Sequence, residues 1–242
     1  MRAIYDDDGF FSSYSDMTRS KEGLRGAGEW ECAKTLLPDI KGFKILDLGC
    51  GFGWHAKYFI SHGAERVEAI DVSRKMLQKA KEINDDKNIS YSLCDIESFE
   101  ADADSYDMVF SSLAIHYVSD YKNLIVKIHG WLKKGGTLLF SLEHPSFTAE
   151  GSEDWCYDEG GRIRHFPLDN YFVEGKRETT FLGCKVGKYH RTLTSYVEPL
   201  LEGGFSLTGL KEPEVPSPLK DLEEMRNEWR RPMMLILRAE KK

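Results

Sequence analysis

Short apolar runs and longer segments of helical period take turns along the first 145 residues of the chain. Lys44–Asp47, Val67–Ile70, Ile89–Leu93, Tyr106–Phe110 and Thr137–Leu142 read as strands. Between them, Trp54–His62 reads as a helix stopped by Gly63, and Arg74 to about Ile83 as a helix capped by Ser73, with Met76, Leu77 and Ala80 inward. Asp120–Leu132 carries Tyr121, Leu124, Ile125, Ile128 and Trp131 at spacings of three and four, and Gly135-Gly136 is expected to end that helix. A further helix is expected over Gly23–Leu37, before Pro38. Strands and helices alternating in this way predict a doubly wound α/β fold, a parallel sheet with helices on both faces.

The rhythm breaks after Pro145. Between Ser146 and Tyr189 no helical period is visible, but eight aromatics, among them Phe147, Trp155, Tyr157, Phe166, Tyr171 and Phe172, lie among charges and glycines. Within this stretch, Tyr171–Arg177 and Thr179–Val186 are expected to pair as a hairpin. An insert of this size after the fifth strand reads as a substrate cap over residues 146–190. Helix resumes over Arg191–Leu201, followed by a sixth strand at Phe205–Leu210 and a proline-rich connector over Glu212–Pro218. A charged helix over Leu219–Arg230 and a last strand at Met233–Leu237 complete the chain. No linker divides it, so one domain over residues 1–242 is expected, opening with an N-terminal arm and helix over residues 1–40.

The candidate chemistry gathers where the first strand ends. Gly49, Gly51 and Gly53 follow Asp47 at alternate positions, a strand, tight turn and helix N-terminus at which main-chain N–H groups are open to a ligand. Trp54 stands where a dinucleotide fingerprint needs glycine, and the phosphate-cradling G-x-x-x-x-G-K-[ST] is absent. Asp71 ends the second strand, placed to accept from both hydroxyls of a ribose. Asp95 and Ile96 follow the third, an acid for an exocyclic amine beside an apolar contact for an adenine ring.

Asp47-Leu-Gly-Cys-Gly-Phe-Gly53 matches the D-x-G-x-G-x-G signature of the class I S-adenosylmethionine-dependent methyltransferases, and Asp71 and Asp95 fall where that family keeps its ribose and adenine acids. The chain resembles that family from about Leu36 onward, most closely its small-molecule branch, with Ser112–Tyr117 in the matching segment. The resemblance implies a Rossmann-like seven-stranded sheet, mostly parallel, with the last strand antiparallel. It implies S-adenosylmethionine as cofactor and places Val72 and Leu113 with the binding residues. It also implies an arm that folds over the cofactor, with Tyr14 closing the pocket. Arg19 and Arg25 are candidates for the cofactor's carboxylate, weighed against plain surface arginines.

Methyl transfer from a sulfonium needs alignment and exclusion of water more than covalent help from the protein. The candidates for a general base are His116, His144 and His190, each beside a strand end or the insert, while His55, His62 and His129 read as packing or surface residues. Glu143 either meets a cationic substrate, orients His144 or is simply solvated. No ligand spacing is diagnostic of a metal.

Composition narrows the rest. A net charge of −7 gives no general attraction to nucleic acid or anionic membrane. The N/D-P-P-Y/F sequence of DNA amino-methyltransferases is missing after the fourth strand, where Ser111-Ser-Leu-Ala114 stands, and there is no Pro-Cys nucleophile. Five cysteines without a C-x-x-C pair, no leader-like N-terminus and no spanning apolar run fit a cytoplasmic enzyme. The expected function is methyl transfer to a small molecule. An RNA or protein methyltransferase, a non-catalytic S-adenosylmethionine-binding protein and, more weakly, a nicotinamide-dependent oxidoreductase are the rivals.

Overall fold

The computed structural model describes residues 4–217, 220, 221 and 223–242. The chain opens with helices α1 (Asp8–Asp16), α2 (Thr18–Lys21) and α3 (Trp30–Lys34), then enters strand β1 (Lys44–Leu48). Helix α4 (Trp54–Ser61), β2 (Arg66–Asp71), α5 (Arg74–Ile83), β3 (Ile89–Leu93) and β4 (Tyr106–Ser112) come after it. Next are α6 (Tyr121–Trp131), β5 (Leu132–Glu143) and α7 (Pro145–Thr148), and then two small hairpins. One hairpin joins β6 (Cys156–Tyr157) and β7 (Ile163–His165), the other β8 (Gly175–Phe181) and β9 (Cys184–His190). Helix α8 (Leu193–Glu202), β10 (Phe205–Lys211) and β11 (Met234–Lys241) complete the chain.

Seven strands form one sheet in the order β10-β11-β5-β4-β1-β2-β3, in which β11 alone runs against its neighbours. The expected fold and the antiparallel last strand are both present. The chain builds outward from β1 to β3, then returns to lay β4 on the other side of β1. That reversal opens a crevice at the carboxyl ends of β1 and β4, where open α/β sheets take their ligands.

Apolar residues fill both faces, because a parallel sheet wound by helices has no wet side. On one face Leu46, Val109, Leu138 and Phe140 meet Leu124, Ile128 and Trp131 of α6 and Leu200 of α8. On the other, Ile45, Val67 and Leu139 meet Trp30 of α3, Phe59 of α4 and Leu77 of α5. The Ser73 hydroxyl accepts from the Met76 N–H at 3.2 Å, capping α5 as expected.

The arm is helical, with α1 started by Asp7 accepting from the Phe10 N–H at 2.9 Å. Four expectations shift. The helix expected over Gly23–Leu37 is instead a 3₁₀ turn at Gly23–Gly26 and the short α3, because Gly26 lies against the Thr18 carbonyl with no room for a Cβ. Gly135-Gly136 does not end α6, which stops at Trp131; the pair sits inside β5, where the register with β4 slips. The insert's hairpin turns at Leu182-Gly183, with φ of 51° and 77°, rather than near Glu178, so β8 and β9 lie further along the chain than the expected pair. The charged helix expected from Leu219 begins outside the described residues, and the described part of that segment holds 3₁₀ turns at Glu223–Met225 and Glu228–Arg230.

Phe140 is fully buried at the centre of β5. Phe140→Ala is expected to lower unfolding stability by about 3–5 kcal/mol in urea titration, the cost of a large cavity that the packed sheet cannot close.

Candidate active site

The turn after β1 is drawn tight by main-chain bonds. The Gly49 and Cys50 N–H groups both donate to the Ile70 carbonyl at 2.9 Å, and the Gly51 N–H donates to Asp71 Oδ2 at 2.9 Å. Gly49 has a φ of 75°, and a Cβ there would collide with that of Ala114 and stand 3.6 Å from Ile96 Cδ1. Gly51, at φ 52°, faces open space. The loop is closed behind and open in front.

Acids surround it. Asp47 is 1% exposed and neither carboxylate oxygen has a hydrogen-bond partner; burial, with Asp71 nearby, pushes its pKa up to about 8. Asp71 Oδ1 accepts from the Ser73 N–H at 2.9 Å, and burial outweighs its backbone donors to bring it to about 6. Each Asp71 oxygen therefore already holds one donor and keeps a lone pair for a ligand hydroxyl. Val72 beside it is an exposed apolar residue on the rim. Asp95 Oδ1 accepts from the Glu97 N–H at 2.9 Å, and Ile96 lies half-buried beside Gly49. Leu113, in the left-handed region at φ 52°, donates its N–H to the Ser141 carbonyl at 3.0 Å.

The N-terminal arm lies across this edge. The Ser73 hydroxyl donates to Asp6 Oδ1 at 2.6 Å, and Lys75 pairs with Asp8. Tyr14 sets its edge on Phe52 of the glycine loop, with ring centroids 5.8 Å apart. Tyr5 packs edge-on against Tyr14 at 5.4 Å, and its hydroxyl meets that of Tyr117 at 3.2 Å. Arg19 comes inside and Arg25 stays exposed. Arg19 is bound to Glu29 at 2.8 Å, and Ser112 Oγ donates to the same Glu29 oxygen at 3.1 Å. Burial opposes the Glu29 charge, but Arg19 more than compensates and holds the carboxyl below its usual range.

None of the three histidines expected as base presents an unoccupied basic nitrogen. His116 is 2% exposed; its Nδ1 faces the Glu143 N–H at 3.4 Å, which leaves the proton on Nε2, and burial lowers it to about 4. His144 Nδ1 accepts from the Ser146 N–H at 3.1 Å, while Nε2 pairs with Glu212 at 2.9 Å. His190 Nε2 donates to the Tyr171 carbonyl at 2.9 Å and Nδ1 accepts from the Thr148 hydroxyl at 2.8 Å, so this residue pins the insert. The structure thus gives these side chains anchoring roles, because each sits where a strand end has backbone groups to satisfy. His55, His62 and His129 pack on Phe110, Tyr58 and Phe205.

A different group lies at the end of β5. Lys188, its side chain 3% exposed, sets Nζ 2.5 Å from Glu143 Oε1 and 2.9 Å from Glu153 Oε2. Burial and the Glu143 charge raise Glu153 to about 7. The other oxygens, Glu143 Oε2 and Glu153 Oε1, are buried without a partner, and Glu153 has a φ of 61°. The sequence pattern singles out Glu143 but not Lys188, Glu153, Tyr5 or Tyr117. The one signal for Lys188 is its phase, since it shares the inward face of β9 with Val186 and His190. Among the described residues, no group of three His, Cys, Asp or Glu is arranged to hold a metal ion.

Comparison with known proteins gives this arrangement a family. Residues 45–136 match the methyltransferase-domain family. A Listeria monocytogenes protein, solved as a candidate S-adenosylmethionine-dependent methyltransferase, is 46% identical and superposes with a TM-score of 0.86 over 91% of this chain and 99% of its own. An S-adenosylmethionine-dependent methyltransferase from Mesorhizobium loti is 38% identical, with a TM-score of 0.83 over 90% of this chain and all of its own. The malonyl-[acyl-carrier protein] O-methyltransferase of Hamiltonella defensa is 33% identical over 129 residues, 53% of this chain and 49% of its own. With the glycine loop, the strand-end acids and the sheet order in agreement, the chain belongs to the class I S-adenosylmethionine-dependent methyltransferases.

Proposed function

We propose that this enzyme methylates a small molecule held between the N-terminal arm and the 146–190 insert, which acts as the substrate cap of a single-domain protein. The observation that carries this reading is the double cover over the strand ends. The N-terminal arm reaches over from one side through Asp6, ahead of α1, and Tyr14 within it, and β9 comes in from the other with Lys188 bonded to Glu143. A site roofed from two directions favours a compact acceptor over a folded RNA or protein. The net charge of −7 adds no attraction for nucleic acid.

The residues fit the cofactor. Orphaned, buried Asp47 and the raised Asp71 are acids short of positive charge, and S-adenosylmethionine is a cation at its sulfonium and its ammonium. Gly49 and Gly51 would admit its methionine part, with Gly53 opening α4 behind them. Asp71 would hold the ribose, and Asp95, Ile96, Val72 and Leu113 would enclose the adenine. Tyr14 would close over it from the arm. When bound, the cofactor supplies an electrophilic methyl group on sulfur. The protein's share is alignment: the bonds from Gly49, Cys50 and Gly51 fix the loop, and the arm and cap exclude water.

In calorimetric titration, S-adenosylmethionine and S-adenosylhomocysteine are expected to bind in the micromolar range and NAD not at all. Asp71→Ala should weaken both by ~10-fold or more, the worth of a charged hydrogen bond. Unchanged affinity removes Asp71 from the ribose site. For the acceptor, methyl-labelled cofactor is supplied with a cell extract split by ultrafiltration. Label should enter the small-molecule filtrate, and label confined to the macromolecular fraction overturns the reading.

The acids also set a pH dependence. Asp47 at about 8, Glu153 at about 7 and Asp71 at about 6 all stand above ordinary carboxyl values, so their ionisation opposes folding and stability falls as pH rises toward each of those values. His55 and His116, lowered by burial to about 4, act the other way, but only up to their ordinary value of 6.5. Above pH 6.5 these histidines no longer offset the acids, and Asp71 has already ionised. The ligand-free protein should therefore lose on the order of 2 kcal/mol through Asp47 between pH 6.5 and 8, the slope easing as the group ionises, with a smaller loss through Glu153 near pH 7. Asp47→Asn or saturating S-adenosylmethionine should flatten the melting temperature there, and a flat profile in the unmodified, ligand-free protein contradicts the charge assignment.

A further inference from the structure

Building on the small-molecule reading, we propose that the acceptor is an amine, bound through Glu143 and Glu153, and that Glu153 takes its proton before the methyl group is transferred. Three observations converge on these two side chains. First, each carboxylate spends one oxygen on Lys188 and keeps the other buried with no donor. An ionised carboxylate only accepts hydrogen bonds, so whatever satisfies these oxygens must offer N–H or O–H. Second, two acids against one lysine leave an excess of one negative charge in a buried place. Burial, together with the repulsion between Glu143 and Glu153 through space, raises Glu153 to about 7 and holds the pair partly protonated while no external cation is there. An ammonium group supplies both the donors and the missing charge. A carboxylate acceptor, as the name of the Hamiltonella defensa relative indicates for that enzyme, would add a second unpaired negative charge instead.

Third, Glu153 is held in place by a device of its own. Its backbone is in the left-handed region at φ 61°, a conformation that a non-glycine residue keeps only when its surroundings insist. Its carbonyl accepts from Arg231 Nη1 at 3.2 Å, and that guanidinium lies over the rings of Phe147, Trp155 and Phe166 at 4.6, 4.4 and 4.3 Å. Arg231 is itself neutralised by Glu228 at 2.9 Å. The insert thus aims one strained carboxylate at the end of β5.

The groups facing Glu153 set its proton affinity. Glu143 on β5 raises it, Lys188 on β9 lowers it, and burial dominates. His116, after β4, sits within electrostatic reach of Glu143, Lys188 and Arg191, whose guanidinium donates to the Val118 and Ser119 carbonyls, but stays neutral with its proton on Nε2. Glu143 also acts on the phenols of Tyr5 and Tyr117, which connects this pole to the arm.

In the transfer, a protonated amine first gives one proton to Glu153 Oε1. The freed nitrogen lone pair forms the new N–C bond as the S–C bond of the sulfonium breaks, and that bond's electron pair returns to sulfur as a neutral thioether. The product is an N-methylammonium, which leaves with its charge at neutral pH, and the single proton released is the one Glu153 returns to solvent.

The test uses matched probes whose aromatic end suits Tyr5 and Tyr117: phenethylamine, 2-phenylethanol and 3-phenylpropanoate, with butylamine, butanol and butyrate as a second set. Release of S-adenosylhomocysteine from the full chain and S-adenosylmethionine is followed across about pH 6 to 8. The amines are expected to turn over, with kcat/KM rising through neutral pH, and the alcohols and acids are not. Glu153→Gln should lower amine kcat/KM by ~100-fold or more, the usual share of a general base. Its affinity for S-adenosylmethionine and its melting temperature should stay near those of the unmodified protein. Glu153→Asp should recover part of the activity, and Glu143→Gln should act mainly on KM. Preferred turnover of an alcohol or acid, no turnover of any amine, or a Glu153→Gln variant as active as the parent each overturns the proposal. If the extract filtrate takes label while the amines do not, the small-molecule reading stands and the amine assignment alone falls.

Discussion

Everything at the functional edge depends on one close approach, that of Gly49 to Ala114. The turn leaving β1 and the segment leaving β4 come so near that a single added carbon on Gly49 would force them apart. Around that contact, Ile96 from the segment after β3 comes within 3.6 Å of where a Gly49 Cβ would stand, Leu113 holds a positive φ, and the Gly49 and Cys50 amides donate to the Ile70 carbonyl. The same closeness leaves Asp47 at the floor of the crevice with no partner of its own. A ligand-binding edge of this kind is a by-product of topology: the strand order reverses between β1 and β4, and the connections part to leave a gap that backbone alone cannot fill.

Charge is the second organising quantity. The crevice has acids at both ends, Asp47 and Asp71 under the glycine loop and Glu143 with Glu153 under the insert. Each end is incompletely neutralised, and Tyr5 stands between them, its phenol raised by burial and by Tyr14 and also acted on by both Asp71 and Glu143. Contrast the pair Arg19–Glu29, where one cation meets one anion and the carboxyl is held below its usual range. Buried charge that is matched serves the fold, and buried charge that is left over invites a partner. The charge balance, and not the free oxygen that Glu29 Oε2 also has, separates this ion pair from the two poles.

The histidines show how a side chain's chemistry is decided by its neighbours. A histidine next to a strand end suggests a base in the sequence, yet strand ends are also where backbone donors and acceptors lack partners. His144 answers the Ser146 N–H, His190 the Tyr171 carbonyl and His116 the Glu143 N–H. The acid–base work proposed in their place falls to a carboxylate from a segment with no periodicity at all.

The sheet, its order of winding and most of its helices were legible in the chain, because these rest on local rules. Period-two and period-3.6 patterns mark buried faces, Ser73 caps the helix it precedes, and alternate glycines after a strand permit one kind of turn. Three of the elements the sequence pattern misplaced, the broken helix before α3, the glycines inside β5 and the Leu182-Gly183 turn, are those whose conformation is set by distant contacts or by φ values that composition does not announce. What the chain order alone leaves open is the grouping at the end of β5. Glu143, Glu153 and Lys188 lie 10 and 35 residues apart in the chain, and they become one group only when β9 folds back on β5, since a buried charge acquires meaning from what surrounds it in space and not from what precedes it in sequence.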